Sequence, residues 1–218
     1  MDFFDKTKAV VCFLRHGQTD WNLQQRMQGR EEIPLNENGI AQARDAALGL
    51  KKAKDEAGLS WTRIVSSPLG RAVNTAKIIK EAVECECLEI DGRLIERDFG
   101  EMSGLVYDEY SRATFNNVPE VKTVETIDAL MERANSFIKD NVKIGERVLL
   151  VTHGAITRIF ARNSEKSEKI PKDFEHSISN CHLVIYTYDG EKTVLQAYNI
   201  SPWDVAELAK EETNENKN

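Results

Sequence analysis

Arg15, His16 and Gly17 follow one another directly at the end of an apolar run, in VVCFLRHGQTDWN over residues 10–22. Imidazole is a nucleophile and a proton carrier, and guanidinium offers a planar fork of donors to phosphate or carboxylate oxygens. A glycine beside them lets a bulky or charged ligand come close to the backbone. The arrangement recurs at residues 148–154, where VLLVT runs into His153 and Gly154. The residue types suit chemistry on a phosphate, although the Arg15-His16-Gly17 stretch alone also reads as a solvated strand end.

The elements that must present these residues are legible from the pattern around them. Residues 10–14 form a short, β-branched, apolar run that ends at charge, which reads as a buried strand. In open α/β sheets, ligands collect outside the carboxyl ends of such strands. Residues 18–34 lack periodicity and read as a long functional loop. Asn36 caps a helix with Ile40, Ala43, Ala47 and Leu50 on one face, running to about Ala57 and ended by Gly58. Residues 63–65 form the next strand. Ser66-Ser67-Pro68 then supplies a capping serine and a proline for a helix over 69–83, with Arg71 in its first turn.

A third strand is expected at 87–90, a structured loop at 93–105 and a short helix at 107–114. Ile127, Leu130, Met131, Ala134, Phe137 and Ile138 mark a helix over 124–141, with Glu125 and Asp128 in its first turn. Residues 147–152 are apolar on both faces, as in a central strand of a covered sheet, and a helix over 155–162 follows. Residues 181–188 and 193–198 alternate around Asp189-Gly190 as a hairpin, and 204–210 adds a final helical turn or two. The expected fold is one three-layer α/β/α sandwich over residues 1–210. It has a mostly parallel central sheet, an antiparallel edge strand, a small cap and a disordered tail over 211–218.

Composition narrows the partners. The 218 residues include 29 Lys+Arg and 36 Asp+Glu, a net charge of −7, which argues against a broad basic face for nucleic acid or anionic membrane. Positive charge for an anionic substrate must therefore be built locally. Cys12, Cys85, Cys87 and Cys181 lack zinc or redox spacing and read as reduced thiols. The absence of a leader-like or membrane-spanning segment places the chain in the cytoplasm as an expectation. An edge strand or the exposed face of the second helix offers a surface for a homodimer.

Four words stand in order: RHGQTDWN at 15–22, SSPLGRAVNTA at 66–76, LIERDFGEMSG at 94–104 and VTHGA at 151–155. With them, the chain resembles the histidine phosphatase superfamily, the phosphoglycerate mutase-like enzymes, from about residue 9 to residue 198. Taken singly, Arg71 reads as a helix-surface cation, Glu96 as paired with Arg93 or Arg97, and His153 as an interior histidine. The order of the words joins them. The resemblance implies that His16 is the nucleophile, forming a phosphohistidine. It further implies that Arg15, Arg71 and His153 hold the phosphoryl oxygens, and that Glu96 exchanges the proton with the leaving group. Asn22 falls at a phosphate-contacting asparagine, and Gln28-Gly29 falls in the substrate loop; Thr19 and Gly154, inside the same words, are counted with them as substrate contacts.

Phosphoryl transfer develops charge on three oxygens and depends chiefly on positioned cations and donors, which suits these residue types. Burial beside an anionic phosphate favours the protonated Glu96 needed by a leaving alkoxide. No cofactor and no metal are expected. A phosphomonoesterase for small cytosolic phosphate esters is the leading expectation, because no long insertion or Arg-Arg pair of the mutase kind is present. A phosphoglycerate mutase is the alternative, with Arg26 or Arg112 binding the carboxylate. A third reading is a phosphate-binding protein on an inherited fold. His176 and His182 are left structural, with a substrate contact from His182 open beside Asn180.

Overall fold

Alternating side chains along the first strand divide the protein into layers. The computed structural model describes residues 3–107, 123–170 and 177–215. In β1 (Ala9–Arg15), Val10, Cys12 and Leu14 enter one apolar cluster, and Ala9, Val11 and Phe13 enter another on the opposite face. The strand β4 (Arg147–Thr152) does the same, with Leu149 and Val151 on one face and Val148 and Leu150 on the other. Burial on both faces is what a central strand of a covered parallel sheet requires.

The other strands are β2 (Arg63–Ser66), β3 (Leu88–Ile90), β5 (Glu165–Lys166), β6 (Leu183–Tyr188) and β7 (Thr193–Ile200). Together they form a mixed seven-stranded sheet in the order β3-β2-β4-β1-β6-β7-β5. The first four of these neighbours run parallel, β6 pairs antiparallel with both β1 and β7, and β5 joins β7 in parallel. The antiparallel strand therefore lies inside the sheet, with a hairpin partner and a two-residue strand beyond it. A strand of two residues leaves no periodic trace, so β5 had no signal in the sequence.

The helices are α1 (Asp20–Leu23), α2 (Glu37–Ala57), α3 (Gly70–Val83), α4 (Ile127–Asn141), α5 (Gly154–Asn163) and α6 (Val205–Glu215). Leu50 of α2, Ile79 of α3 and Val205 of α6 pack on one face of the sheet, and Phe137 of α4 and Phe160 of α5 pack on the other. Phe13, Phe160 and Tyr186 form an aromatic cluster on that second face, with centroids 5.1–5.3 Å apart. The chain leaves β1 toward one face and leaves the adjacent β4 toward the other. Such a switch point opens a crevice at the carboxyl ends of the two strands.

The caps of α2 follow expectation: Asn36 accepts a hydrogen bond from the Gly39 N–H at 2.8 Å, and Gly58 ends the helix in the left-handed region at φ 69°. Two other helix starts differ. The N-cap of α3 is Leu69, which has no side-chain acceptor; Ser67, two residues earlier, accepts from the Leu69 N–H at 3.4 Å and also bonds His153. Thr126 caps α4, so Glu125 lies outside the first turn and instead pairs with Arg133 at 2.7 Å. Residues 18–34 are less irregular than expected, since α1 is closed there by a capping box between Thr19 and Asn22. The segment 93–105 contains two 3₁₀ turns, Gly92–Leu94 and Gly100–Met102. The helix α6 continues past Lys210 to Glu215. The expected helix at 107–114, and with it most of the expected cap, lies outside the described residues.

The backbone at Gly17 and Gln18 lies directly on the start of α2. A Cβ at Gly39 would meet the Gln18 carbonyl oxygen at 2.0 Å, and one at Gly17 would meet the Gly39 oxygen at 2.3 Å. This close approach fixes the chain as it leaves His16.

Candidate active site

Sheet register brings the two Arg/His-bearing strand ends together. Arg15 of β1 is the register partner of Thr152 of β4, and the His16 N–H donates to the Thr152 carbonyl at 3.0 Å. His16 and His153 follow side by side, with ring centroids 5.1 Å apart and planes inclined at 63°. On the far side of β4, Ser66 of β2 pairs with Val151, which puts Ser67 beside His153. Both histidines are buried.

The His16 Nδ1 lies 2.6 Å from the Gly17 carbonyl oxygen, which can only accept, so Nδ1 carries the proton. The lone pair is therefore on Nε2, which receives the Arg71 Nε–H at 3.2 Å. Arg71 is fully buried and also donates to the Glu31 and Gly29 carbonyls, at 2.6 and 2.8 Å. Its helix is held to the nucleophile's strand by Thr75, which accepts from the Gly17 N–H at 3.1 Å and donates to the Arg71 carbonyl at 2.8 Å. Arg15 donates to the Ile178 carbonyl at 2.6 Å, but its buried Nε has no partner. Burial, then the charge of Arg158, lowers the Arg15 pKa to about 10, which keeps it protonated at neutral pH.

The His153 Nε2 lies 2.6 Å from the Ser67 hydroxyl, and its buried Nδ1 has no partner. The Ser67 oxygen already accepts from the Leu69 N–H at 3.4 Å, and we assign its hydroxyl as the donor to Nε2, which puts the ring proton on Nδ1. An unpartnered Arg15 Nε–H and an unpartnered His153 Nδ1–H in one buried place make an anion site that needs acceptor oxygens.

Glu96 is 6% exposed and caps the start of α5. Its carboxylate accepts from the Ala155 and Ile156 N–H groups at 3.0 Å each and from Arg97 at 2.8 Å. Behind it, Arg133 donates to the Arg93 and Ile95 carbonyls at 2.6 and 2.7 Å and is held by Glu125. Burial raises the Glu125 carboxyl, yet its bonds with Arg133 outweigh that and leave it below its ordinary range. A cavity of about 370 Å³ joins these groups, lined among others by Arg15, His16, Asn22, Gln28, Arg71 and Glu96. That volume suits a small ester.

The expected residues do not all meet the cavity. Asn22, Gln28 and Gly154 line it. Asn22 gives its oxygen to the Thr19 N–H and hydroxyl at 3.1 and 3.2 Å, which leaves its amide hydrogens for a ligand. Thr19 does not line the cavity; it is buried as the cap of α1 and orients Asn22. Gly29 does not line it either, and acts through its carbonyl on Arg71. A Cβ at Gly154 would lie 3.3 Å from the Arg15 Nε, so its glycine gives Arg15 room. His182 turns its Nδ1 to the Asn199 carbonyl at 3.1 Å, away from the cavity lining. Arg26 lines the cavity, whereas Arg112 and His176 lie outside the described residues.

Several contributors had no local signal. Asn180 donates to the His16 carbonyl at 2.8 Å, Ser67 bonds His153, Thr75 of α3 holds the Gly17 N–H, and Arg158 lines the cavity from α5.

Residues 11–201 match the family model described as the histidine phosphatase superfamily, branch 1. The chain belongs to the histidine phosphatase superfamily. Among relatives of this superfamily, the uncharacterized phosphatase PhoE of Bacillus subtilis is 38% identical over 88% of this chain and 95% of its own. Phosphoglycerate mutase-like protein 4 of Arabidopsis thaliana is 33% identical over 90% of this chain and 87% of its own. A mycobacterial glucosyl-3-phosphoglycerate phosphatase, solved in complex with VO3, superposes with a TM-score of 0.67 at 24% identity, over 88% of this chain and 99% of that one, and shows the shared fold. This member of the superfamily is a phosphatase- or mutase-type enzyme. No helix among its described residues is long and apolar enough to cross a membrane, and its four cysteines are free.

Burial, then the charges of Arg71 and its neighbours, holds both His16 and His153 well below the usual imidazole value of 6.5. The unfolded chain therefore binds protons that the folded protein refuses. Stability from these two groups is full above about pH 6.5 and is lost as the pH falls toward the lowered folded values. Urea unfolding is expected to show a lower midpoint at about pH 5 than at about pH 7, with the difference reduced in His153→Ala. A midpoint that is flat across that interval, or a fall that His153→Ala leaves unchanged, would contradict the assignment.

Proposed function

We propose that this enzyme is a metal-independent phosphomonoesterase acting on small cytosolic phosphate esters through a phosphohistidine at His16. The observation that carries the reading is the fixed tautomer of His16, whose bare Nε2 faces the guanidinium of Arg71 in a cavity also lined by Arg15 and Glu96.

In the first step Nε2 attacks phosphorus, the bond from phosphorus to the ester oxygen breaks, and protonated Glu96 gives its proton to the departing alkoxide. Arg71 exchanges its bond to Nε2 for one to a phosphoryl oxygen. Arg15 Nε and His153 Nδ1 take up the partners they lack, and the amide of Asn22 adds another donor. In the second step water attacks phosphorus, Glu96 takes its proton, and the nitrogen–phosphorus bond breaks to release phosphate and neutral His16. The positive charge comes from side chains, and among the described residues no three His, Cys, Asp or Glu side chains converge on a metal position.

The mutase reading rests on a cation for the phosphoglycerate carboxylate. Arg26 lines the cavity, but it already donates to Gln24 and to the Gly104 carbonyl, at 2.9 and 2.7 Å. Hydrolysis is preferred because the chain carries neither the long insertion nor the adjacent Arg-Arg pair of the mutase kind. Phosphate release from a panel of small esters, with chelator present, tests it: metal-independent release supports the phosphatase, and isomerisation of phosphoglycerate without phosphate release would overturn it.

The acid role of Glu96 gives a further expectation. Glu96→Gln is expected to lower kcat/KM, which reads the first step, by about 10²–10⁴-fold for alkyl phosphates and much less for an activated aryl phosphate, because a good leaving group needs no proton. Equal losses of kcat/KM on both esters would remove Glu96 from protonation of the leaving group.

A further inference from the structure

The backbone that delivers Glu96 to the cavity is held by its carbonyls. Those of Arg93 and Ile95 accept from Arg133 Nη1 at 2.6 and 2.7 Å, and that of Glu96 accepts from Arg133 Nη2 at 3.4 Å. The Leu94 carbonyl between them accepts from the Thr152 hydroxyl at 2.7 Å. Every carbonyl from residue 93 to residue 96 is thus met by Arg133 of α4 or by Thr152, the residue before His153. Glu125 holds the stretch beyond the acid: its Oε2 accepts from the Asp98 N–H at 3.2 Å, and its carbonyl accepts from Arg97 Nε at 2.8 Å.

The two holders are themselves joined. Arg133 donates from Nε to Glu125 Oε1 at 2.7 Å and from Nη2 to Oε2 at 3.0 Å. All five N–H groups of the guanidinium are then engaged, three on the backbone of 93–96 and two on Glu125. The pair is largely buried, with side chains 15% and 10% exposed. An ion pair taken that far out of water gains little stability over apolar side chains of similar volume. What an apolar pair could not do is order the backbone on either side of Glu96. Neither residue lines the cavity, so any effect on the reaction passes through the group they hold.

Resting on the reading of Glu96 as the acid for the leaving group, we propose that Arg133 and Glu125 are positioning residues, a clamp that aims Glu96 at the departing oxygen of the ester. A misplacement of about 1 Å at such a group is worth about 10²-fold in rate, which makes the clamp measurable.

Arg133→Lys keeps the charge and gives up the fork, and Glu125→Gln keeps the shape and gives up the ion pair. Each is expected to lower kcat/KM for an alkyl phosphate by about 10–10²-fold, and for an activated aryl phosphate by less than about threefold. Glu132→Gln, an exposed neighbour on α4, is expected to change neither. In a Glu96→Gln background the alkyl loss from either clamp substitution is expected to shrink below about threefold, because the group being aimed is gone. A pair that merely supports the fold would cost as much with Glu96 replaced as with Glu96 present. That result, or full activity in both single variants, overturns the clamp. If Arg133→Lys does not fold, Glu125→Gln carries the same readings.

The clamp and the acid role fail separately. A Glu96→Gln variant that loses kcat/KM equally on both esters, with Arg133→Lys adding nothing to the loss, would overturn the acid role and keep the clamp. An ester-selective loss in Glu96→Gln, to which Arg133→Lys adds its full cost, would do the reverse.

Discussion

Replacing His16 by alanine is expected to abolish turnover, by about 10⁴-fold or more in kcat, while phosphate binding persists. The expectation follows from what each group does. Attack on phosphorus needs the Nε2 lone pair, which the bond from Nδ1–H to the Gly17 carbonyl keeps in place. Arg15, Arg71 and His153 remain after the substitution, so the anion site survives without its nucleophile. Phosphate release by the variant, set against its binding of inorganic phosphate by calorimetry, measures both halves. Residual turnover within about tenfold of the parent would mean that water attacks the ester directly and that His16 is a spectator.

Arg71→Lys is expected to cost about 10³-fold in kcat/KM, although it preserves the charge. The guanidinium holds three directions at once: toward His16, toward the Glu31 carbonyl and toward the Gly29 carbonyl. An ammonium on a flexible stem cannot reproduce that fork. The loss is expected in stability as well, because the two carbonyls lose their donor inside the protein, at about 1–3 kcal/mol for each one left unmet. Urea unfolding and kinetics on one ester check the two parts together. A variant with full activity and an unchanged midpoint would show that Arg71 supplies charge alone.

The sequence made the frame legible where local rules operate. Asn36 and Gly58 bound their helix because a side-chain oxygen and a left-handed glycine act within one turn. The strand ends at Arg15 and Thr152 were readable because an apolar run stops where the sheet gives way to the polar site. The two histidines could be paired because both follow such runs. What stayed hidden depends on distant segments. Ser67 looked like a helix cap because it directly precedes Pro68 at the start of a helix, and only the register of β2 on β4 places it against His153. Thr19 looked like a ligand contact, but Asn22 three residues on completes a capping box with it. Asn180 reaches the His16 carbonyl across 164 positions of sequence, a distance at which no pattern carries information. Arg158 reads as an ordinary helix-surface cation until the fold places it in the cavity wall.

These contacts also explain why so much of the site is built from backbone. Glu96 is aimed by the first N–H groups of α5, and Arg71 by two loop carbonyls. Substitutions at Gly29 and Glu31, whose carbonyls hold Arg71, therefore act on phosphoryl transfer without touching the substrate. The rigid parts, β1 and β4, set the histidines, while the loop after α1 sets the arginine and the mouth of the cavity.

The central claim is that the phosphoryl group passes through His16, and rapid mixing with an activated aryl phosphate, quenched under conditions that preserve phosphohistidine, tests it most directly. The account predicts that mass spectrometry finds one phosphoryl group on the peptide containing His16 within the first turnover, that it disappears as substrate is exhausted, and that Glu96→Gln prolongs it. Turnover at full rate with no phosphoryl group on that peptide at any time, or with the label on His153 instead, would contradict the account.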